Sequence, residues 1–579
     1  MNAAVATACA FVAYVIGYRL YSGYLSREVF ELDDANETPA HSMTDGVDYV
    51  PTDSPILFGH HYASIAGLAP MLGPAVAVIW GWLPAMAWVV LGALLVGCVH
   101  DFGSLVVSIR ARGKSIGVVA EGLIGERAKT LLHIIIFFLV ALAMGVFVFV
   151  IAFLFSPAPD PAQEAFHFPQ AVLPSFGLMV IAAVIGWLGY KKDVSWNIMT
   201  PIGFGLLLLL VYVAQTESAL TMLQVANPDV APGVQGWSII LLAYALVASV
   251  LPVWTLLQPR DFLNVLLLFL GLGSLYLGIF VGQPEFVAPA ARPNPEGAPS
   301  MFPFVFIVIA CGAASGFHSL VSSGTTAKQL DKETDARAIG YGGMIGESLL
   351  GLIAVLATTA GMINSETWQS HYSNWASVSK LGEKVSVFIN GAATFLESLG
   401  INPELGASFV SVIVVSYALT SLDSATRLLR YNVEEVADTL DLDFLKNRYL
   451  SGLLAAAAIG FFAFYEVDGK PAGLVLWKLF GTTNQLMAGL ALLVVTIYLI
   501  MRDKPWYVAG IPMAAMLVTT ITAMISNVKD FYSGGEWLLF GVGSLLLILG
   551  VWTVIEAGIA IRRFRDSGET LKSVFIDVD

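Results

Sequence analysis

Two stretches of an otherwise apolar chain carry the same arrangement of small and titratable residues. They are GHHYASIAG at 59–67 and GFHSLVSSG at 316–324, each Gly-x-His-x5-Gly, which aligns His61 with His318 and Gly67 with Gly324. The first runs on into LAPMLGP, so Gly67, Pro70 and Gly73-Pro74 follow within a few residues. Proline has no amide hydrogen to give a helix and glycine loosens one, so this series predicts an interruption. Backbone groups freed at membrane depth persist only where protein or water satisfies them, and there they can hold a solute or an ion. The plain alternative is a proline kink with a polar first turn at the headgroups. The second stretch follows Ser315 and brings Gly316, Ser322 and Ser323. The apolar segment after each stretch carries an acid, Asp101 in VGCVHDFGSL and Glu347 in GMIGESLLGL. A charge at mid-bilayer costs on the order of 3 kcal/mol on insertion scales, and protonation lowers that cost for a carboxyl. Asp101, Glu347, His60, His100 and Asp423 are therefore the candidates for carrying protons, with His61, Gly67, Pro70, Gly73, Ser315, Gly316, His318, Ser322 and Ser323 as candidates for holding the solute or ion.

Other polar groups interrupt apolar sequence. TSLDSATRLLR (420–430) places Asp423 and Arg427 one turn apart, the spacing of an ion pair on one helix face. LWKLFGTTNQL (476–486) sets Lys478, Thr482, Thr483, Asn484 and Gln485 inside a long apolar region, which reads as another broken helix or as two spans joined by a polar turn. His100 either shares protons with Asp101 or with His60 and His61, or packs as a hydrogen-bonded histidine. His41, His60, His61, His100 and His318 supply enough imidazoles for a metal- or haem-bearing enzyme. His60 and His61 are adjacent, however, so only one can face a given centre from a regular helix. A structural divalent ion held by His and Asp near the start of 56–80 stays open as an alternative. No cofactor is called for.

The elements that position these groups must be membrane helices. Of 579 residues 57% are hydrophobic and only 12% charged, and the mean hydropathy is +0.76; runs such as IIIFFLVALAMGVFVFVIAFLF recur throughout. The fold class is an all-α polytopic membrane protein forming a single transmembrane domain over 1–579. About fifteen spans are expected, near 2–22, 56–80, 83–109, 131–155, 172–190, 199–215, 236–257, 262–282, 302–326, 338–363, 405–426, 449–465, 472–500, 506–526 and 536–561, with an upper count of eighteen. The stretch 385–400 is short and polar and reads as re-entrant or interfacial. Alternating the loops leaves Arg292, Lys380, Lys384, Lys470 and Lys529 outside and Lys478 inside a span; the rest of the 29 basic residues fall on the inner side. Positive charge on the cytoplasmic side therefore puts the N-terminus outside and the C-terminus inside. The apolar start (2–18) has no basic region before it and reads as a retained helix. Loop 23–55 becomes an acidic, solvated cytoplasmic loop, either a linker or a cover over the inner mouth; 364–404 becomes a periplasmic segment. On this topology the two Gly-x-His-x5-Gly stretches run in opposite directions, as in an inverted repeat. Three scattered cysteines exclude a disulfide framework, and the net charge of −14 leaves no nucleic-acid footprint.

The block YRLYSGYLSREVFELDDANETPAHSMTDGVDYVPT (18–52), followed by FGHHYASIAGLAPMLGP, resembles the N-terminal signature of the carbon starvation protein CstA family. SGFHSLVSSGTTAKQL (315–330), TSLDSATRLLRY (420–431) and LWKLFGTTNQLMAGLAL (476–492) are similar to its later signatures. The resemblance covers nearly the whole chain. It implies kinship with the amino acid–polyamine–organocation transporters and a LeuT-like inverted-repeat core with broken helices. It also implies a place in the bacterial or archaeal inner membrane and uptake of peptides during carbon starvation, with proton-linked pyruvate import as the alternative.

No phosphate-binding glycine loop of the Gly-x4-Gly-Lys-Ser/Thr type is present, so transport would draw on an ion gradient. Titratable groups make the proton the natural coupling ion, while Ser and Thr hydroxyls beside free carbonyls suit sodium equally. A peptide would need a helix N-terminus for its carboxylate and Asp101 or Glu347 for its amine; pyruvate would need only the anion site. A nutrient sensor is the third class considered, and no signalling domain is legible in the sequence to support it.

Overall fold

The computed structural model describes residues 2–158, 166–378, 381–467 and 469–567; Lys380 and Lys572 lie outside them. Among the described residues the regular structure is helical apart from one two-residue antiparallel pair, Glu466–Val467 with Lys470–Pro471. Helix α1 (Ala3–Ile16) starts on Asn2, whose side chain accepts from the Ala4 amide, and winds on to Val29 as one span. Then come α2 (Ser54–Ile65), α3 (Ala69–Ala77), α4 (Cys98–Arg110, the last part of span Trp82–Arg110), α5 (Glu126–Phe155), α6 (Val172–Lys192), α7 (Trp196–Val213), α8 (Val234–Val250) and α9 (Leu257–Gly282). The second half holds α10 (Met301–Val308), α11 (Gly316–Gly324), α12 (Gly342–Ala360), α13 (Leu381–Glu397), α14 (Pro403–Thr439), α15 (Arg448–Phe464), α16 (Ala472–Met501), α17 (Tyr507–Ser533) and α18 (Trp537–Ser567).

Among the described residues, 11 helices are long and apolar enough to cross a membrane, or 12 if the bent pair α2–α3 is one span. The fifteen expected segments differ from this count for a physical reason. Helices α8 and α15 are apolar but only 17 residues long, and 301–324 is divided by a break. The stretch 385–400 falls in α13 and the turn that closes it, and α13 packs against α12 and α14.

Burial sorts the helices into layers. In α16, α14 and α5 most of the apolar window is inside the protein, whereas α1, α7 and α18 turn most of theirs outward. Exposed Ile202 and Leu209 on α7 and Ile548 and Ile555 on α18 are the side chains such a lipid-facing layer presents. The inner layer holds the polar groups.

Three expectations are corrected here. First, 472–500 is one continuous helix, because the Thr482 and Thr483 hydroxyls bond back to Leu479 O at 3.0 and 2.8 Å and leave the winding intact. Second, Lys478 is not within a polar core; it is 54% exposed and pairs with Glu536 at 2.7 Å at the end of the bundle. Third, the acidic loop is no free linker: acids such as Asp33, Glu37 and Asp45 are exposed, yet the chain between them is docked. Thr38 Oγ1 donates to Leu330 O (2.6 Å), the Thr52 amide to Gln329 O (3.1 Å) and the Asn36 side chain to Glu333 (2.8 Å). Asp48 meets Arg427 at 2.7 Å and Arg430 at 3.4 Å.

Candidate buried His–carboxylate site at two helix breaks

The first break separates α2 from α3, whose axes diverge by 48°. Ala66 leaves helical geometry at φ −77°, ψ 59°, and Pro70 opens the new helix where a missing amide hydrogen costs nothing. The carbonyls freed at the end of α2 are taken up from α14: Thr420 Oγ1 donates to Ala63 O (2.9 Å) and Ser421 Oγ to Ser64 O (3.2 Å). Ser64 Oγ also meets Ser424 Oγ at 2.9 Å. Gly67 permits this approach, because a Cβ there would stand 2.6 Å from Ser421 Oγ.

The second break runs from Ile309 to Ser315, between α10 and α11. Cys311 is extended, Gly312 has φ +90°, and Ala314 and Ser315 are extended again. Two side chains hold this segment. Glu347 Oε1 on α12 accepts from the Gly312 amide at 3.2 Å. Asn484 on α16 caps α11: its Oδ1 accepts from the Phe317 amide (3.0 Å) and Ser315 Oγ (3.2 Å), and its Nδ2 lies 3.1 Å from Cys311 Sγ. The two interrupted segments cross against each other. A Cβ on Gly73 of α3 would lie 2.4 Å from Val308 O, and one on Gly312 would lie 3.6 Å from Pro70 O.

His318, two residues into α11, joins the acids at the crossing. Its Nδ1 is 2.8 Å from Asp101 Oδ2, and its Nε2 is 3.2 Å from Glu347 Oε2, an ion-pair distance rather than an aligned hydrogen bond. His100 Nδ1 holds the other Asp101 oxygen at 2.7 Å. All four side chains are buried to 1% exposure or less. One imidazole thus bridges two carboxyls drawn from different helices, and one of those carboxyls holds backbone at the break. Glu347 joins a set of proton-binding side chains directly to the unwound backbone. His61 faces the same side of α2 and bonds Thr326 at 2.8 Å just beyond α11. Ser322 Oγ is buried without a partner; Ser323 Oγ accepts from the Ile116 amide at 3.1 Å.

Not every predicted residue belongs here. His60 and Asp423 sit in a second cluster on the other side of α2. His60 Nδ1 is 2.7 Å from Asp261, and Asp423 is clamped by Arg260 and accepts from Tyr244 OH at 2.6 Å. The expected Asp423–Arg427 pair is absent. Asp423 faces α8 and α9, while Arg427, a turn further on, bonds Asp48 and the Ala248 and Leu251 carbonyls at the end of α8. Arg260 and Asp261 escaped sequence reasoning because their charges in QPRDFLN resemble a loop, yet α9 starts at Leu257 and buries both. The Gly-x-His-x5-Gly pattern precedes the break in the first segment and follows it in the second, so the matched letters occupy unlike places. The signal that did report the site was helix-breaking residues beside an intramembrane acid. Among the described residues no group of three or more His, Cys, Asp and Glu side chains is arranged to hold a metal ion.

Comparisons with known proteins come to the same chain from outside. The family model described as carbon starvation protein CstA matches residues 2–523. The peptide transporter CstA of Helicobacter pylori is 34% identical over 92% of this chain and 81% of its own length. The pyruvate/proton symporter BtsT of Escherichia coli is 29% identical over 88% of this chain and 80% of its own. A solved manganese transporter of Eremococcus coleocola superposes over 90% of this chain and 99% of its own, with 12% identity and a TM-score of 0.47.

Proposed function

This chain belongs to the carbon starvation protein CstA family, and from that premise we propose that it is a proton-coupled secondary transporter importing small peptides across the bacterial inner membrane, and not an enzyme. The observation that carries the mechanism is the double role of Glu347, which holds the Gly312 amide with one oxygen and faces His318 with the other. Binding a proton at His318, Asp101 or Glu347 alters the hold on the broken segment, and the solute's own polar ends compete for the same backbone groups. Proton and solute are then bound and released together, which is what coupling requires.

The two crossing breaks support a LeuT-like core in which α2–α3 and α10–α11 are the opposed members. In this reading the inverted relation rests on the breaks themselves and not on the shared letters. All fifteen segments span, the short α8 and α15 included, with the N-terminus outside and the basic end of the bundle, with the docked 31–53 chain, in the cytoplasm. The kinship with the Escherichia coli pyruvate/proton symporter supports pyruvate as the second solute reading. Sodium is the second coupling-ion reading, favoured by the Thr420 and Ser421 hydroxyls gathered on the Ala63 and Ser64 carbonyls.

The test is uptake by proteoliposomes of labelled dipeptide and labelled pyruvate, each with an inward proton gradient, an inward sodium gradient or neither. Accumulation of dipeptide that needs the proton gradient is the expected result. Sodium dependence would move the coupling to the serine and threonine hydroxyls, and no uptake of either solute would refute the assignment.

A further inference from the structure

The second cluster does not balance its charges. Arg260, Asp261 and Asp423 are 1%, 0% and 0% exposed, so two buried carboxylates share one guanidinium. Arg260 engages both acids, and Tyr244 OH bridges Arg260 (2.7 Å) and Asp423 (2.6 Å). Arg427, one turn beyond Asp423 on α14, is committed to Asp48. The remaining titratable groups facing the cluster are His60 from α2 and Tyr417 from α14. His60 is 0% exposed, is 2.7 Å from Asp261, and its Nε2 has no partner. A buried excess negative charge is strongly disfavoured, so the set is stable only with one added proton.

A groove at the basic end of the bundle reaches Phe262, the residue next to Asp261. Its volume is about 660 Å3, and its lining includes three acids, Asp53, Asp331 and Asp335, one cation, Lys332, and the apolar Ile56 and Phe262. The Phe262 ring meets Trp196 edge to face, with the ring centres 6.2 Å apart. Burial pushes the Asp335 carboxyl above its ordinary value, which suits a group that passes protons on. On its far side the cluster reaches the first helix break: the Ser424 amide donates to Asp423 Oδ1 (2.9 Å) and Ser424 Oγ meets Ser64 Oγ (2.9 Å).

We infer that His60, Arg260, Asp261 and Asp423 form a second proton-binding site, loaded through the acid-lined groove and separate from the His318 network across α2. The inference rests on the proton-coupled reading above and adds to it a second bound proton per cycle. A proton from the groove settles on the His60–Asp261 pair, and no covalent bond other than the one to that proton changes. With the proton the cluster is neutral, and Asp423 stays on Arg260 and on the Ser424 amide. Without it Arg260 is contested, and the Ser424–Ser64 contact at the break loosens.

The experiment compares wild type, Asp261→Asn and His60→Gln in proteoliposomes, using labelled dipeptide, or pyruvate if dipeptide is not carried. The proton-to-solute ratio is read from the reversal potential of the flux across a series of pH gradients. Thermal unfolding in detergent is measured in parallel, with Arg260→Gln added. Asp261→Asn leaves one carboxylate for one guanidinium, so it is expected to unfold at a higher temperature than Arg260→Gln, which leaves two acids unpaired. Its ratio and that of His60→Gln are expected to fall by one proton per solute. An unchanged ratio in both variants, or an Asp261→Asn protein less stable than Arg260→Gln, overturns the inference. Wild-type uptake indifferent to the proton gradient is the separate failure of the underlying reading.

Discussion

Replacing His318 by glutamine tests the central arrangement most directly. The imidazole stands 2.8 Å from Asp101 and 3.2 Å from Glu347, and all three are buried. At an effective dielectric of about 20, each of those charge pairs is worth roughly 5–6 kcal/mol before desolvation is subtracted. Removing the shared partner of a buried ion pair costs about 3–5 kcal/mol net, because the carboxyls are left uncompensated. Glutamine keeps the approximate size and one donor, so the loss reports charge more than packing. The assay is equilibrium unfolding in detergent of wild type, His318→Gln, Glu347→Gln and the double variant. Glu347→Gln in the His318→Gln background removes one of the stranded carboxyls. It should therefore cost less there than it does alone, with a coupling of about 1–3 kcal/mol, the size found for groups in one network. Proton-driven uptake should be lost in both single variants. Strict additivity, with a coupling below about 0.5 kcal/mol, would refute the bridge between the two acids.

Gly73→Ala places a methyl 2.4 Å from Val308 O, against backbone of the other broken segment, and should cost at least about 1–3 kcal/mol in unfolding experiments. Asn484→Ala strips the Phe317 amide and Ser315 of their acceptor and should destabilise by about 1–3 kcal/mol, with solute affinity measured alongside. Burial alone would raise the Asp48 carboxyl, but Arg427, Arg430 and Lys328 hold it well below the usual carboxylate range. A depressed folded value gives stability that is complete above the unfolded value of about 3.9 and is lost only as pH falls below it. Loop 43–53 should therefore resist protease throughout the neutral and mildly acid range and be released under strong acid, whereas Asp48→Asn should expose it at every pH. Lys478→Ala, which breaks a pair 54% and 40% exposed, should change stability by no more than about 0.5 kcal/mol and leave uptake intact.

The sequence made some of this legible and hid the rest for identifiable reasons. Gly67, Pro70 and Gly73 announced the first break because helix-breaking residues act locally. Asp101 and Glu347 stood out because a lone acid in apolar sequence is costly wherever it ends up. That the two would share His318 was beyond reach, since the three come from helices brought together only by packing. The Asp423–Arg427 spacing misled for the same reason. Both side chains sit on one helix, yet each found a better partner on another element. Lys478 and the TTNQ run looked alike as letters, and only the end of α16 against the core distinguishes an exposed ion pair from a helix cap. Arg260 and Asp261 were assigned to a loop because hydropathy averages a window, and two charges in the first turn of α9 pull that average down although the turn is buried.

The 37 residues of α14 form one helix about 55 Å long, well beyond the roughly 30 Å of hydrocarbon in a bilayer. Thr420 and Ser421 grip the first break near its middle, Asp423 follows within the same turn, and Arg427 and Arg430 hold Asp48 of the docked loop further along. Such a rod works as a lever. A tilt that let go of the Ala63 and Ser64 carbonyls would also swing the arm on which the loop is pinned, so the loop and the break deep inside lie along one mechanical axis.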